Sequence, residues 1–288
     1  MISDIDVLEL KNLLIQHKLY KGPRSGRIGK VGGSMKRGQQ HVEMTEEWFK
    51  TVVHATSEVR PERTLAAHRV MVERHIGAKG LDLFDHLLDT YELEIENGFF
   101  QSKITSVALL DRTIYLHGDI YQRTGALAGT FSRYFRLDQR GKLFVEHTDL
   151  HIAPNYQDTG IGTTFYQHME QEYIKYGVDF IILEANLTVG GYAWARMGFD
   201  FNNVDDQENF VTDFKDLLSD KYSQEVADQA QLEHAWDIAA YIGPDGKQVG
   251  KEFLLGTDWE GIKFLTPESE GRSVGDTYFK HKNAKKTA

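Results

Sequence analysis

A pair of glycines between a strand pattern and a helix pattern constrains the fold of this chain most strongly. The glycines lie in the sequence QDTGIG at positions 157–162, after a β-rich segment that ends near Ile152. Glycine at such a turn lets backbone N–H groups point into a concavity with no Cβ in the way, and the N-terminus of the following helix adds positive charge. The turn therefore predicts a binding site for phosphate or pyrophosphate, with a purely structural tight turn as the alternative.

The segments around this turn predict the fold class. An amphipathic helix from Ile161 to Tyr176 follows the turn and leads to an apolar run at 178–185, which suits a buried strand of a parallel pair. This order predicts an α/β (α+β) fold, with a mixed sheet of six to seven strands flanked by helices and a mainly helical N-terminal region. Four β-rich segments precede the turn and predict an antiparallel meander: 102–110, 113–121, 129–137 and 143–152.

Two other kinds of phosphate-binding loop fit the sequence worse. A dinucleotide-binding fold needs G-x-G-x-x-G with an acidic residue about 20 positions further on. A nucleotide-binding P-loop needs a lysine directly after its glycines. The segment 157–164, QDTGIGTT, has neither pattern, so the sequence favours neither a dinucleotide-binding fold nor a P-loop.

Composition divides the chain into five segments. A Gly-rich, basic stretch at 21–38 follows a predicted short helix at 5–18, and it is too polar to bury much surface. Capping and helical spacing predict helices at 45–59, 62–76 and 81–93. We expect a helix plus flexible basic Gly-rich arm at 1–44, a helical region at 45–98, a core at 99–201, an acidic C-terminal extension packing on the core at 202–279 and a frayed tail at 280–288.

The charge of the chain is uneven and limits its partners. The net charge is −10, yet residues 1–40 hold eight Lys/Arg against three Asp/Glu and net +5. Residues 200–270 hold five against seventeen and net −12. A chain this acidic is not a general nucleic-acid binder, although its basic arm could contact an acidic partner. The acidic segment could recognise a cationic substrate or form a solvated face.

The absence of cysteine and of long apolar runs favours a cytoplasmic protein. The sequence offers no disulfide, no thiolate nucleophile and no cysteine-based metal site. No apolar run approaches the roughly 20 residues that span a bilayer, and the first residues lack the basic-then-apolar pattern of a secretory signal. We expect a soluble cytoplasmic protein that does not bind a membrane and holds no metal.

The residues around the glycine pair resemble a known family. IAPNYQ-x-x-G-x-G-T at 152–163, followed by an amphipathic helix, a buried strand and Gly198-Phe199, resembles the GNAT superfamily of N-acetyltransferases over about residues 102–201. The resemblance implies acetyl-CoA as acyl donor, with its pyrophosphate held by the loop amides and its pantetheine arm paired with the preceding strand. The cofactor-binding residues that it implies are His151, Ile152, Gln157, Asp158, Thr159, Gly160, Ile161, Gly162 and Thr163.

One position departs from the family pattern. In many members a tyrosine four residues before the glycine of the Gly-Phe step protonates the departing thiolate, and that position here is Trp194, whose indole has no useful acidity. Tyr192 lies two residues earlier, about 200° around a helix. It is the candidate general acid if Gly190 and Gly191 make the backbone irregular.

An acetyl transfer to an amine also needs a group that accepts the amine proton. Glu146 on the fourth strand of the meander and Glu184 at the end of the fifth strand are the candidate bases, acting directly or through water. Strand alternation predicts that His147, Asp149 and His151 share one face and that Glu146 lies on the other.

The sequence therefore predicts direct attack of an amine on bound acetyl-CoA, because no cysteine exists for a covalent intermediate. A backbone N–H near His151 or Ile152 would stabilise the oxyanion, and the acceptor would be an amine-bearing small molecule or protein. The alternative is a catalytically inactive GNAT-fold module that binds CoA or a protein, which Trp194 favours. Residues 29–38 of the basic stretch, GKVGGSMKRG, resemble a Gly/basic segment of phage head-assembly proteins, so this alternative includes a phage-associated structural or effector protein.

Overall fold

A mixed sheet of nine strands organises the part of the chain that the computed structural model describes, namely residues 33–37, 65–87, 91–95, 98–110, 113–185 and 187–284. The order across the sheet is β1-β2-β3-β4-β5-β6-β7-β9-β8. The predicted α/β fold with a mixed sheet is confirmed, with nine described strands where six to seven were expected. In chain order the strands are β1 (Gly33–Arg37), β2 (Tyr91–Ile95), β3 (Gly98–Leu110), β4 (Thr113–Gln122), β5 (Leu127–Leu137), β6 (Leu143–Ile152), β7 (Phe180–Ala185), β8 (Asp200–Phe201) and β9 (Trp259–Phe264).

The strand directions follow from the connections. β1 to β6 pair antiparallel in succession, as a meander does, whereas β6 and β7 are parallel. A helix crosses over between these two, which a parallel pair requires. β9 pairs antiparallel with both β7 and β8, so the acidic C-terminal extension contributes a strand to the sheet.

Helices pack on one face of the central strands. Leu87 and Met169, from two different helices, line the same small cavity with Phe131 and Phe135 of β5, so both helices cover this face. The helices are α1 (Leu65–Leu87), α2 (Ile161–Lys175), α3 (Leu187–Arg196), α4 (Val204–Lys221), α5 (Gln224–Gln229), α6 (Ala235–Ala240), α7 (Val249–Leu254) and α8 (Glu270–Ala284). Every one of these described helices is too short or too polar to cross a bilayer.

The crossover helix α2 forms as its sequence period predicts. Ile161, Phe165, Met169 and Tyr173 recur every four residues, and all four are at most 4% exposed. Gly177 adopts φ 72° just after the helix, the left-handed conformation that glycine tolerates best. The apolar stripe therefore faces the sheet and belongs to the core.

Several element boundaries differ from those expected. α1 contains the break predicted at Gly77, where φ is 72°, but it ends at Leu87, and residues 91–95 pair with β3 as a strand instead of extending a helix to position 93. β1 lies within the predicted arm, because a strand pairs through its backbone and needs little apolar surface of its own. α8 continues to Ala284, past the expected start of the tail. The helices predicted at 5–18 and 45–59 lie outside the described residues.

Candidate functional site

Strands β6 and β7 run side by side for a short distance and then separate. The first pair joins Phe144 to Phe180, and the last joins His147 to Leu183. Within the described residues, β6 then continues through 148–152 in pairing with β5 alone. The two strands therefore enclose a wedge-shaped opening between residues 148–152 and the end of β7, which is called the cleft below.

The edge of β6 presents backbone groups to the cleft. The Ala153 N–H donates to the Ala128 carbonyl, on the β5 side, at 2.9 Å. Because N–H directions alternate along a strand, the N–H of Ile152 and that of Leu150 face the cleft, whereas that of His151 faces β5. An extended ligand with amide groups can pair with this edge as an added strand would. Of the two predicted oxyanion donors, Ile152 has the suitable direction.

A β-bulge in β6 changes the face on which its side chains lie. Ser132 pairs with Asp149 and Arg133 pairs with His147, so Thr148 is an extra residue opposite β5. Arg133, only 1% exposed, donates from Nη1 to the carbonyl of Asp149 at 2.5 Å and to that of Ser132 at 2.6 Å. A buried guanidinium therefore supports the bulge from within the core.

The alternation expected for β6 is wrong beyond the bulge. His147 lies on the face that α2 covers, here called the helical face, because its partner Arg133 is buried there. Asp149 and His151 lie on the opposite face together with Glu146. This opposite face of β4, β5 and β6 is called the polar face.

The glycine turn after β6 is held by its own side chains. A short 3₁₀ turn at Pro154–Tyr156 leads into it. The Gln157 Nε2 donates to the Ile152 carbonyl at 2.9 Å, and the Thr159 Oγ1 donates to the Tyr156 carbonyl at 2.6 Å. These two predicted cofactor-binding residues shape the loop through their side chains.

The backbone of the turn has two left-handed residues. Asp158 has φ 60° and Gly160 has φ 84°, and Gly160 is the N-cap of α2 without a side chain to satisfy the first N–H groups. The first-turn N–H groups of a helix have no intrahelical acceptor. The N–H groups of Gly162 and Thr163 therefore point from the helix toward the loop, where an anion is favoured.

Lys282 brings a further positive charge to this turn. It extends from α8 and donates from Nζ to the Thr163 Oγ1 at 2.9 Å. A Cβ at Gly162 would lie 3.4 Å from the Ile152 Cγ1, an ordinary contact, so packing within the protein does not demand glycine there. Sequence reasoning missed Lys282, because it follows Thr163 by 119 residues and lies in the expected tail. These groups fit a phosphate-bearing cofactor.

The two candidate bases lie on the polar face. The Glu146 Oε2 is 3.1 Å from the Arg136 Nη1, so this carboxylate forms an ion pair. Glu146 directly precedes His147, the residue at which the cleft begins. Glu184 is exposed and follows Leu183, the partner of His147, so it projects to the polar face from the other side of the cleft.

Tyr192 and Trp194 lie on different sides of α3, which continues as a helix through the glycine pair. The Lys251 Nζ lies 5.7 Å from the centre of the Tyr192 ring. The Trp194 ring is instead 6.3 Å from that of His147, centre to centre. Tyr192 therefore does not share the surroundings of Trp194, and Trp194 is the one that packs beside the start of the cleft.

His147 is enclosed on the helical face where the cleft begins. Its side chain is 5% exposed, and its ring lies 5.8 Å from those of Tyr166 and Tyr173 in addition to Trp194. Neither ring nitrogen has a hydrogen-bond partner in the part of the chain that the structure describes. Burial lowers the pKa of His147 well below its usual range, and the charge of Arg133 lowers it further, so the imidazole is neutral at neutral pH.

A hydrogen-bonded group on the polar face adjoins the bulge. The Tyr115 hydroxyl donates to the Ser132 Oγ at 3.0 Å, and the His117 Nδ1 lies 2.9 Å from the same oxygen. Burial lowers the pKa of His117, although the charges of Asp119 and Asp149 oppose this. Sequence reasoning missed His117 because it sits in a strand without a motif. Among the described residues, no three His, Asp or Glu side chains are grouped to hold a metal ion.

The sequence matches no protein-family model and no curated protein. Solved structures that match part of the chain include a Trypanosoma brucei acetyltransferase, at 19% identity over 24% of this chain and 51% of that chain, with a TM-score of 0.22. Nourseothricin acetyltransferase matches at 17% identity over 39% and 64%, with a TM-score of 0.27. An aminoglycoside 6'-N-acetyltransferase complexed with coenzyme A matches at 10% identity over 82% and 99%, with a TM-score of 0.27.

This chain spans less than two thirds of the length of the first two of these proteins. These neighbours are acetyltransferases, the class of protein that the sequence resembles around its glycine pair. The geometry of the cleft, and not these scores, supports the function proposed below.

Proposed function

We propose that the chain is an acetyl-CoA-dependent N-acetyltransferase that transfers an acetyl group directly to an amine. The observation that carries this proposal is the cleft, whose exposed β6 edge runs from the glycine turn to the start of the β6–β7 pairing. A pyrophosphate at the turn and an extended, amide-bearing arm along the edge fit the donors present. Those donors are the N–H groups of Leu150, Ile152, Gly162 and Thr163 and the ammonium group of Lys282.

Each part of the cleft has its own task in this proposal. Acetyl-CoA supplies the acyl group as an activated thioester. The turn binds the pyrophosphate, and the β6 edge orients the arm so that the carbonyl oxygen can accept from an N–H that faces the cleft, such as that of Ile152. Because the chain lacks cysteine, the amine attacks the thioester without a cysteinyl intermediate.

The polar face favours an acceptor that carries a positive charge. Glu146 and Asp149 lie on it along β6, Glu184 projects to it from β7, and Asp119 lies on it two strands away from the cleft, on β4. We propose that an amine-bearing small molecule or protein binds there as a cation and then loses its proton. Glu146 and Glu184 remain the proposed bases, and His117, neutral at neutral pH, is a further group able to accept a proton.

Thermal denaturation with acetyl-CoA tests this function. Acetyl-CoA should raise the Tm, since a ligand that binds only the folded state stabilises it by about 2.7 kcal/mol at 100 times its Kd. Gly162→Trp should remove the shift by filling the turn, and the backbone there requires no left-handed conformation. Val204→Trp is the matched control, because Val204 is an exposed residue in the first turn of α4. A wild-type Tm that does not respond to millimolar acetyl-CoA would refute the proposal.

A second candidate function is a CoA-binding or protein-binding module without transferase activity. Trp194 favours it, because the indole that packs at the start of the cleft cannot act as an acid. Release of free CoA thiol during incubation with a panel of amines distinguishes the two functions. Thiol release that depends on the amine, and that Gly162→Trp abolishes, supports the enzyme. An acetyl-CoA shift without thiol release from any amine supports the module.

A further inference from the structure

The imidazole of His147 is costly for the fold. A neutral imidazole has one N–H donor and one acceptor nitrogen, and at 5% exposure the side chain is nearly removed from water. Neither nitrogen has a partner among the described residues, so both have lost their water hydrogen bonds without replacement. A phenylalanine would fill similar space among Tyr166, Tyr173 and Trp194 without this penalty. Packing alone therefore does not explain a histidine here.

The position of His147 offers an explanation. It forms the last β6–β7 pair, so it lies at the narrow end of the cleft, where the strands begin to separate. The β6 edge from 148 to 152 covers about 16 Å at the rise of a strand, and the glycine turn lies at its other end. An acyl-CoA that binds with its pyrophosphate at the turn and its arm along this edge carries its sulfur toward the narrow end.

We propose that His147 donates a hydrogen bond to the sulfur of the bound cofactor and stabilises the thiolate that forms during acetyl transfer. This inference rests on the function proposed above. It assigns the cofactor sulfur to a side chain that the sequence analysis had treated only as a strand residue. That analysis had grouped His147 on one face with Asp149 and His151, from which the bulge separates it. The partner that the imidazole lacks among the described residues is then supplied by the cofactor.

The step balances without a proton from His147. The amine nitrogen forms a bond to the thioester carbonyl carbon, the carbon–sulfur bond breaks, and the bonding pair remains on sulfur. The proton of the new ammonium leaves to a base on the polar face or to water, and the thiolate later takes a proton from water. Throughout, the neutral imidazole keeps its proton and holds the sulfur by a hydrogen bond to an anion, which is stronger than one to a neutral group.

The neighbours of His147 keep it in this donor state. Arg133 is the charged group that faces it from β5, and its positive charge opposes protonation of the ring. From α2, Tyr166 and Tyr173 face it, and burial raises the pKa of both hydroxyls, so they stay neutral. Leu183 and Trp194, from β7 and α3, carry no titratable group. The donor is therefore available across the neutral pH range.

Calorimetric titration with CoA and with desulfo-CoA, which lacks only the sulfur, tests the contact. We expect wild-type protein to bind CoA about tenfold more tightly than desulfo-CoA, the effect of one hydrogen bond, with a ratio that grows as the thiol ionises at higher pH. His147→Phe should bring the ratio to about one while leaving the affinity for desulfo-CoA unchanged. His147→Gln, which keeps an N–H donor, should retain part of the preference.

Tyr173→Phe is the control, because it removes a hydroxyl from the same buried group but leaves the imidazole. It should keep the wild-type preference for CoA. An equal CoA to desulfo-CoA ratio in wild type and His147→Phe would overturn the inference while leaving the proposed function intact. Failure of wild type to bind either ligand would overturn both. If His147→Phe does not fold, His147→Leu, which also removes the N–H donor, replaces it, and a ratio equal to that of the wild type would likewise overturn the inference.

Discussion

Lys263 and His147 are both buried polar side chains on the helical face, yet their surroundings differ. The Lys263 Nζ lies 2.7 Å from each carboxylate oxygen of Glu170 and 2.8 Å from the Met197 carbonyl, so all of its donors can be used. Lys263 is 1% exposed and Glu170 is 3% exposed. His147 is equally enclosed, but neither of its nitrogens is hydrogen-bonded within the described residues.

This difference indicates different roles: the Lys263 ammonium stabilises the fold, whereas the His147 imidazole serves the binding proposed above. Lys263 belongs to β9 and Glu170 to α2, so the ion pair joins the C-terminal extension to the crossover helix. A buried pair of this kind repays its desolvation only when every polar atom is satisfied, and here it is. The described residues offer the His147 imidazole no hydrogen bond that would offset its desolvation. Such a loss of stability is expected at a site that binds a ligand.

The largest predicted effect comes from breaking the Lys263–Glu170 ion pair. Lys263→Met should lower the free energy of unfolding by about 3–5 kcal/mol, because it leaves the Glu170 carboxylate buried without a cation. Urea denaturation measures this change. Lys175→Met is the matched control on the surface of α2, where loss of the exposed ammonium group that pairs with Glu172 should cost less than about 1 kcal/mol.

The double variant Lys263→Met/Glu170→Met should recover most of that loss, since replacing both members of a buried pair by apolar side chains is often neutral. Equal destabilisation of the double and single variants would show that the Met197 carbonyl, or the shape of the site, matters more than the charges.

Replacement of the His147 imidazole should change the free energy of unfolding in the opposite direction. His147→Phe should raise the free energy of unfolding by about 1–3 kcal/mol in the absence of cofactor, because it removes two buried nitrogens that have no partner in the described part of the chain and keeps an aromatic ring. Urea denaturation of the unliganded protein measures the gain. A destabilised variant would mean that the imidazole has a partner after all or that the ring geometry is essential.

Much of the fold could be predicted from the sequence because local patterns carry it. The four-residue period of α2 and the apolar run of β7 depend on neighbours along the chain, and both elements lie where the sequence placed them. β2 was not anticipated, because residues 91–95 also fit the end of a helix and only pairing with β3 decides between the two. Tertiary contacts overrode local propensity there.

The candidate site was predictable only where its residues are consecutive. The glycine turn is a local motif, and the structure places it between β6 and α2 as expected. The bulge at Thr148 could not be foreseen, since a strict period of two is the default for a strand, and one extra residue moved Asp149 to the opposite face. Lys282 and His117 reach the site only through long-range packing.

The contrast also predicts how stability depends on pH. The pKa of folded His147 lies well below 6.5, so between these values the unfolded chain binds a proton that the folded protein does not. Stability should therefore fall as the pH drops below about 6.5, with a slope of up to about 1.4 kcal/mol per pH unit from this residue. The pKa values of His117 and His168 are lowered as well, and these residues act in the same direction.

Comparison of His147→Phe with wild type isolates the contribution of His147, because His117 and His168 are present in both. The advantage of the variant in urea denaturation should grow from pH 7 to pH 5.5. Parallel curves for the two proteins across this range would contradict the prediction.

His234 provides the smallest effect and the reverse sign. Burial is the largest single influence and lowers its pKa, but the hydrogen bond to Asp200 at 2.6 Å and the charges of Asp200, Asp237 and Glu270 together raise it. A raised pKa stabilises the fold fully below about 6.5, and that contribution is lost as the pH rises through the folded value.

Because this pair is partly exposed, His234→Gln should cost less than about 1 kcal/mol at pH 6, and less again at pH 8.5. Glutamine keeps an N–H donor for Asp200, so the loss of stability measures the contribution of the imidazolium charge and not only that of the hydrogen bond. Urea denaturation at both pH values measures it. An equal cost at pH 6 and pH 8.5 would show that His234 is neutral at both values. The predicted contrast, in which His234 stabilises the fold at low pH and His147 destabilises it there, would then be wrong.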